Sequence, residues 1–235
     1  MFALRPANER GHTQTGWLDS WHTFSFRQYH DPRFMGFSDL RVINDDTIAP
    51  GEGFGTHPHD NMEIVSIVLN GELEHRDSMG NGTVIKNGEV QKMSAGSGIT
   101  HSEFNPSAQK SVHFLQIWIL PNILDIPPVY EQKAFSDQEL ADQLRLIVSP
   151  DGRDGSVIIN QDAEIYQTVL GAEKRVSFTV DDQRSAWIHI AEGAVAINGH
   201  PLVAGDGIAV RDENLDIELR GIDRRSNVLV FNLRK

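Results

Sequence analysis

Short apolar runs, each closed by a glycine- or asparagine-rich turn, recur along the whole chain and point to a fold made of strands. Residues 64–69 are a β-branched and aliphatic run, interrupted only at Ser66, that ends at Asn70-Gly71. Both members of that dipeptide tolerate positive φ, so it predicts a hairpin. Residues 72–77 alternate, Gly80-Asn81-Gly82 and Asn87-Gly88 turn, and residues 112–120 run long and apolar until Pro121. Several short strands between such turns predict an all-β sandwich or barrel.

The character changes between Pro127 and Leu146. Pro127-Pro128 breaks regular structure. Ser136, with Glu139 three residues on, predicts a short helix opened by a capping box. The expected organisation is an N-terminal domain over 1–130, a linker with a short helix over 131–145 and a C-terminal domain over 146–235. Strand signals resume at 144–148, 157–159, 165–169, 175–180, 186–190, 194–197 and 228–233, with a further hairpin at Asn198-Gly199 and a turn at Gly205-Asp206-Gly207. The second half repeats the first in style, as a faint internal repeat.

Composition narrows the chemistry. The 235 residues are enough to bury a real core. There is no cysteine, which excludes disulfides, thiolate zinc sites, iron–sulfur clusters and thiol catalysis. With 33 acidic against 21 basic residues and a net charge of -12, the chain has little with which to neutralise phosphates, so direct nucleic-acid binding is not expected. No apolar run approaches the roughly 20 residues of a spanning helix, so no membrane role is expected. Residues 1–10 lack the apolar stretch of a secretory signal, and a cytoplasmic location is the expectation.

Two motifs carry chemistry. In His57-Pro58-His59 the imidazoles stand at i and i+2, on one face of an extended segment, so both can reach one ion. Pro58 stiffens the segment and is tolerated at a sheet edge. Glu63 has the same parity if pairing is regular. His101-Ser102-Glu103 repeats the spacing after the turn Gly96-Ser97-Gly98. Either pair alone is weak evidence, but two in one all-β half are not easily dismissed. Together His57, His59, His101 and Glu103 form a nitrogen and oxygen set for one divalent metal. Without thiolate, copper(I) and structural zinc are less natural. Iron(II) is the expected ion, with zinc, manganese, nickel, cobalt and copper(II) still open. Four protein ligands on an octahedral ion leave two positions for small molecules.

These residues bring a family into view. Gly51, His57-Pro58-His59, Glu63 and Gly71 resemble the first cupin motif, and Gly98, His101 and Asn105 resemble the end of the second. Trp21-His22-Thr23-Phe24-Ser25-Phe26, Tyr29-His30-Asp31-Pro32, Leu40-Arg41-Val42-Ile43-Asn44-Asp45-Asp46, His57-Pro58-His59-Asp60-Asn61-Met62-Glu63 and Gly96-Ser97-Gly98-Ile99-Thr100-His101-Ser102-Glu103 are similar to pirins, a bicupin subfamily, and to its bacterial group. The resemblance implies an all-β bicupin, two cupin-type β-barrels or jelly rolls packed face to face with a few short helices. It implies that the N-terminal barrel holds the metal through His57, His59, His101 and Glu103, with Glu63 just outside the ligands. The C-terminal barrel would lack ligands, since His189 and His200 form no His-x-His pair. The implied activity is that of a quercetin 2,3-dioxygenase, opening a flavonol ring with molecular oxygen. The alternative it implies is that of eukaryotic pirins, a metal- or redox-responsive regulator that binds a protein partner. A third class is a non-redox cupin enzyme such as a sugar-phosphate isomerase, using zinc or manganese.

Further residues receive roles as expectations. Glu63 would hydrogen-bond a ligand imidazole or its water. Phe54 and Met62 would form an apolar wall around a planar aromatic substrate. Glu103, on loosening from the metal, would also be the catalytic base toward a substrate hydroxyl. His75 is expected to be a hydrogen-bonded core or surface histidine rather than a metal neighbour. Trp17, Trp21, Phe24, Phe26 and Tyr29 are expected mainly in packing, with some near the pocket mouth.

Overall fold

A computed structural model of the chain describes residues 2–211 and 214–235. Strand makes up 58% of it and helix 4%, as expected of an all-β fold. The chain forms two compact units: residues 11–134 with 157–161, and the chain up to Arg10 with 135–156 and 162–235.

The opening strand, β1 (Phe2–Arg5), belongs to the second unit. The first unit then runs through β2 (Gly11–Gln14), β3 (Leu18–His22), β4 (Leu40–Ile48), β5 (Gly53–His59), β6 (Glu63–Asn70) and β7 (Glu72–Asp77). It continues with β8 (Gly82–Lys86), β9 (Glu89–Ser94), β10 (Ile99–Phe104), β11 (Val112–Ile119) and β12 (Val129–Ala134). Seven of these strands lie in the order β12-β9-β6-β11-β4-β3-β2, and four in the order β5-β10-β7-β8, all antiparallel. These are the two sheets of a jelly roll.

In the second unit α1 (Asp137–Leu140) and β13 (Arg145–Ser149) come first. The two-residue β14 (Val157–Ile158) returns to the first unit. After it come β15 (Ala163–Leu170), β16 (Arg175–Val180), β17 (Arg184–Glu192), β18 (Ala194–Ile197), β19 (His200–Val203), β20 (Gly207–Val210), β21 (Leu215–Gly221) and β22 (Ser226–Arg234). Here β1-β20-β17-β22-β15-β13 lie side by side, and β16-β21-β18-β19 form the other sheet. The capping box at α1 is formed: the Ser136 side chain accepts from Glu139 N, and the Glu139 carboxylate accepts from Ser136 N at 2.8 Å.

Local signals and pairing part company at two places. Asn198-Gly199 makes a true hairpin, because Ile197 pairs directly with His200 and both turn residues have positive φ, 47° and 83°. Asn70-Gly71 does not: β6 pairs with β9 and β11, and β7 with β8 and β10. Only Gly71 is left-handed there, at 84°, so the dipeptide turns a corner from one sheet to the other. Asn87-Gly88 does the same between β8 and β9. The stretch expected as linker from 131 onward also begins as strand, since β12 runs along β9.

The two interiors differ. The second unit is filled by aliphatic side chains, among them Ile188, Ile190, Ile217, Val228 and Val230, all fully buried. Each such side chain contributes about 1.5–3 kcal/mol. In the first unit an apolar cluster of Leu73, Ile85, Val112 and Phe114 fills one end. Elsewhere its interior buries Asn44, Asp46, Ser66, His75, His101, Glu103 and Gln116. Burying that many polar groups is costly unless each is paired, so the first unit is where a site belongs. No helix among the described residues is long and apolar enough to cross a membrane.

Candidate metal centre

The four-stranded sheet of the first unit places the imidazoles. β5 and β10 run antiparallel with His57 directly opposite His101. The approach is close at Gly53, where any Cβ would collide with the main chain of Glu103 and Phe104. Alternation puts His59 on the same face as His57, and their rings lie 4.8 Å apart, edge to face. Ligand atoms of His57, His59 and His101 all fall within 4.8 Å of one another.

The donor chemistry fits a cation. His57 Nδ1 lies 2.8 Å from the Gly55 carbonyl oxygen, so its proton sits there and Nε2 keeps a lone pair. His57 Nε2 and His101 Nε2 are 3.0 Å apart. Two nitrogens each about 2.1 Å from one ion, at right angles, are about 3.0 Å apart. His59 is lowered to about 4 and His101 to about 2, in each case first by burial and then by the charge of neighbouring His57. Neutral imidazole is the metal-binding form.

Glu103, the fourth expected ligand, stands apart from this trio. A bulge in the β5–β10 pairing falls between His101 and Glu103, which pairs opposite Phe54. Its carboxylate accepts from Gln116 Nε2 at 2.8 Å and Ser66 Oγ at 3.4 Å, and it groups with His75 and His101 rather than with His57 and His59. It lines the same chamber as His57 and His59. Burial, then the charge of Asp46, pushes it up to about 8.

Glu63 is not where sequence parity put it. The turn between β5 and β6 includes Asn61 at φ 43°, and the two strands belong to different sheets. Alternation therefore does not carry across. On β6 it is Ser66 that bonds to Glu103, so Glu63, at odd parity, faces away. Its carboxylate instead accepts from Ser94 Oγ at 3.0 Å and from Asn160 N at 3.1 Å, tying residues 157–161 to the first unit.

A chamber of about 70 Å³ lies beside the imidazoles and shares Phe26, Arg27, His57, His59 and Trp118 with an outer vestibule of about 420 Å³. Phe54 walls the chamber, edge-on to Trp17 at 5.3 Å, and Met62 lines the vestibule. Phe26 and Tyr29, expected mainly in packing, line the cleft as well. Trp118, edge-on to His59 at 5.0 Å, is a wall the sequence reading missed. So are the polar residues opposite the imidazoles: Ser20 faces Asp46 across β3–β4, and His22, Asn44, Gln116 and Ser66 follow one another across β3, β4, β11 and β6. A partial signal existed: Asn44 and Asp46 share a parity on β4, and Gln116 interrupts the apolar run of residues 114–119.

Asp46 is 2% exposed, and its main hydrogen bond is donated by Ser20 Oγ. Burial raises its pKa from 3.8 to about 7, with Asp45 adding to the rise. Between about pH 4 and 7 the folded chain holds a proton that the unfolded chain has released. Stability therefore falls as pH rises through that window, and the full penalty, about 4 kcal/mol, is reached above it. Asp46→Asn is expected to melt above the parent at pH 8 in the metal-free protein, with the gap closing toward pH 4. A gap of the same size at both pH values would show that Asp46 is ionised throughout.

The chain has relatives among known proteins. The Pirin family model matches residues 3–119, and the model of the quercetinase C-terminal cupin domain matches residues 146–233. The chain is 50% identical over 233 residues to the quercetin 2,3-dioxygenase of Escherichia coli K12, covering 99% of each. It is 44% identical to a putative quercetin 2,3-dioxygenase of Pasteurella multocida, over 99% of this chain and 100% of that one. A crystal structure of the bacterial pirin YhhW from Escherichia coli in complex with nickel(II) superposes with a TM-score of 0.93 at 49% identity, covering 100% of this chain and 99% of that one.

Proposed function

Because the chain belongs to the pirin family, we propose that it is a metal-dependent oxygenase that opens the ring of a flavonol, or of a similar planar enol, with molecular oxygen. The observation that carries this reading is the convergence of three imidazoles beside an aromatic-walled cleft. His57, His59 and His101 would hold one divalent ion, with Glu103 reaching in from the same face of β10. Iron(II) is the ion we expect. Nickel stays prominent because a relative was solved with it, and zinc, manganese, cobalt and copper(II) suit the same donors. Bound there, the ion would supply Lewis acidity toward an enol oxygen and the redox chemistry that oxygen demands.

The remaining work falls to the protein. Phe26, Phe54 and Trp118 offer apolar surfaces to a flat ring. The vestibule, with Met62 and Tyr29 on its lining, has room for the part of the substrate that the chamber cannot take. Glu103, aimed by Gln116 and Ser66, would accept the proton of the substrate hydroxyl. Burial raises the pKa of Glu103, so its carboxylate, in the fraction that is ionised, is a stronger base than an exposed one. A cytoplasmic setting belongs to this reading and is consistent with a chain that has no cysteine.

The test is anaerobic loading of the metal-free protein with one first-row ion at a time, followed by quercetin and oxygen. Oxygen uptake matching flavonol loss is the expected result. No uptake with any ion would remove the oxygenase reading, and turnover without oxygen under zinc or manganese would replace it with non-redox chemistry.

A further inference from the structure

We propose that His75 and Asp77 are positioning residues for the metal centre, a hydrogen-bonded relay that holds His101 in the tautomer with a bare Nε2. The proposal rests on reading His57, His59 and His101 as the ligands of one ion.

The relay follows from strand register. β7 lies beside β10 with Asp77 opposite His101 and His75 opposite Glu103. The side chains of His75 and Asp77 are both fully buried. His101 Nδ1 is 3.4 Å from His75 Nδ1, and His75 Nε2 is 3.2 Å from Asp77 Oδ2. Tyr130 covers the other side of the His75 ring, with centroids 5.0 Å apart.

Proton positions follow from the far end. Asp77 Oδ1 accepts from the main-chain N–H of Met79 at 2.9 Å and of Asn81 at 3.1 Å, and Oδ2 accepts from Asn81 Nδ2 at 2.8 Å. A carboxylate held by three donors is an acceptor only, so His75 must donate from Nε2. A neutral His75 then has a bare Nδ1. That nitrogen can accept only if His101 carries its proton on Nδ1, which frees His101 Nε2 toward His57. The turn after β7 thus sets the direction of a ligand lone pair two side chains away.

The three imidazoles are not treated alike. His57 is oriented by the Gly55 carbonyl, a main-chain group that no substitution removes. His101 depends on a side chain. Partners of this kind commonly change metal affinity by 10–100-fold when lost. The rival for His75 is direct ligation, since its ring also groups with His101 and Glu103.

The experiment uses the full chain, made metal-free and titrated with nickel(II) by calorimetry, with thermal melts as a folding control. Long-range nitrogen–proton NMR of histidine-labelled protein, before metal is added, reads the tautomers. The wild type should bind one ion and show His101 protonated on Nδ1. His75→Phe should bind roughly 10–100-fold more weakly and show a mixed His101 tautomer. His75→Gln, whose amide oxygen can accept from His101, should recover most of the affinity. His101 protonated on Nε2 in the wild type overturns the proposal without any variant. Wild-type affinity in His75→Phe overturns it too, and a His75→Gln chain as weak as His75→Phe makes His75 a ligand instead. A wild type that binds no nickel removes the underlying metal reading together with the relay.

Discussion

Replacing His57 and His101 together with alanine is expected to lower bound metal from about one ion per chain to near none, because ligands act as a set that fixes geometry. These two residues are direct cross-strand partners with Nε2 atoms 3.0 Å apart. Their loss leaves His59, a half-buried imidazole, as the last of the trio. The fold should survive. His57 is itself only partly buried, and the structural cost falls at buried His101, as a cavity where its ring stood and a His75 nitrogen without its partner, the latter roughly 1–3 kcal/mol. Elemental analysis reads the metal, and a thermal melt reads the fold. Full metal retention in a folded double variant would refute the site.

Glu103→Gln is expected to lower kcat by roughly 10²- to 10⁴-fold, the usual contribution of a positioned base. The amide keeps the size of the side chain and an oxygen that can still accept from Gln116 Nε2, now at 2.8 Å from the carboxylate. It cannot take a proton. Oxygen uptake and metal content should be measured on one preparation. Lost activity with metal retained assigns Glu103 as base. Loss of both assigns it mainly as a ligand, and unchanged activity removes it from the chemistry.

Much of this was legible before any fold was known. The i, i+2 spacing of His57 with His59 sets their common face, and the capping box at Ser136 forms as read. The strand Glu72–Asp77 begins and ends where alternation says it should. Other features were not legible. Asn70-Gly71 and Asn198-Gly199 are the same dipeptide, yet one is a corner between sheets and the other a hairpin. Glu63 shares parity with His57 and His59 in sequence but bonds to Ser94 and Asn160. His75 is indeed a hydrogen-bonded core histidine, but one of its partners is His101.

The sequence by itself determined whatever depends on a few covalently linked residues: strands, turns, the same-face histidines, a donor set without sulfur and the family they resemble. Parity is a local property and is lost at a left-handed turn such as Asn61. Which strands pair is decided by contacts far apart in the chain. Only the tertiary structure therefore set His101 opposite His57, stood Glu103 between Gln116 and Ser66, and brought Trp118 and Asp46 to the same chamber. It also placed His75 behind His101, because β7 runs beside β10 rather than beside β6.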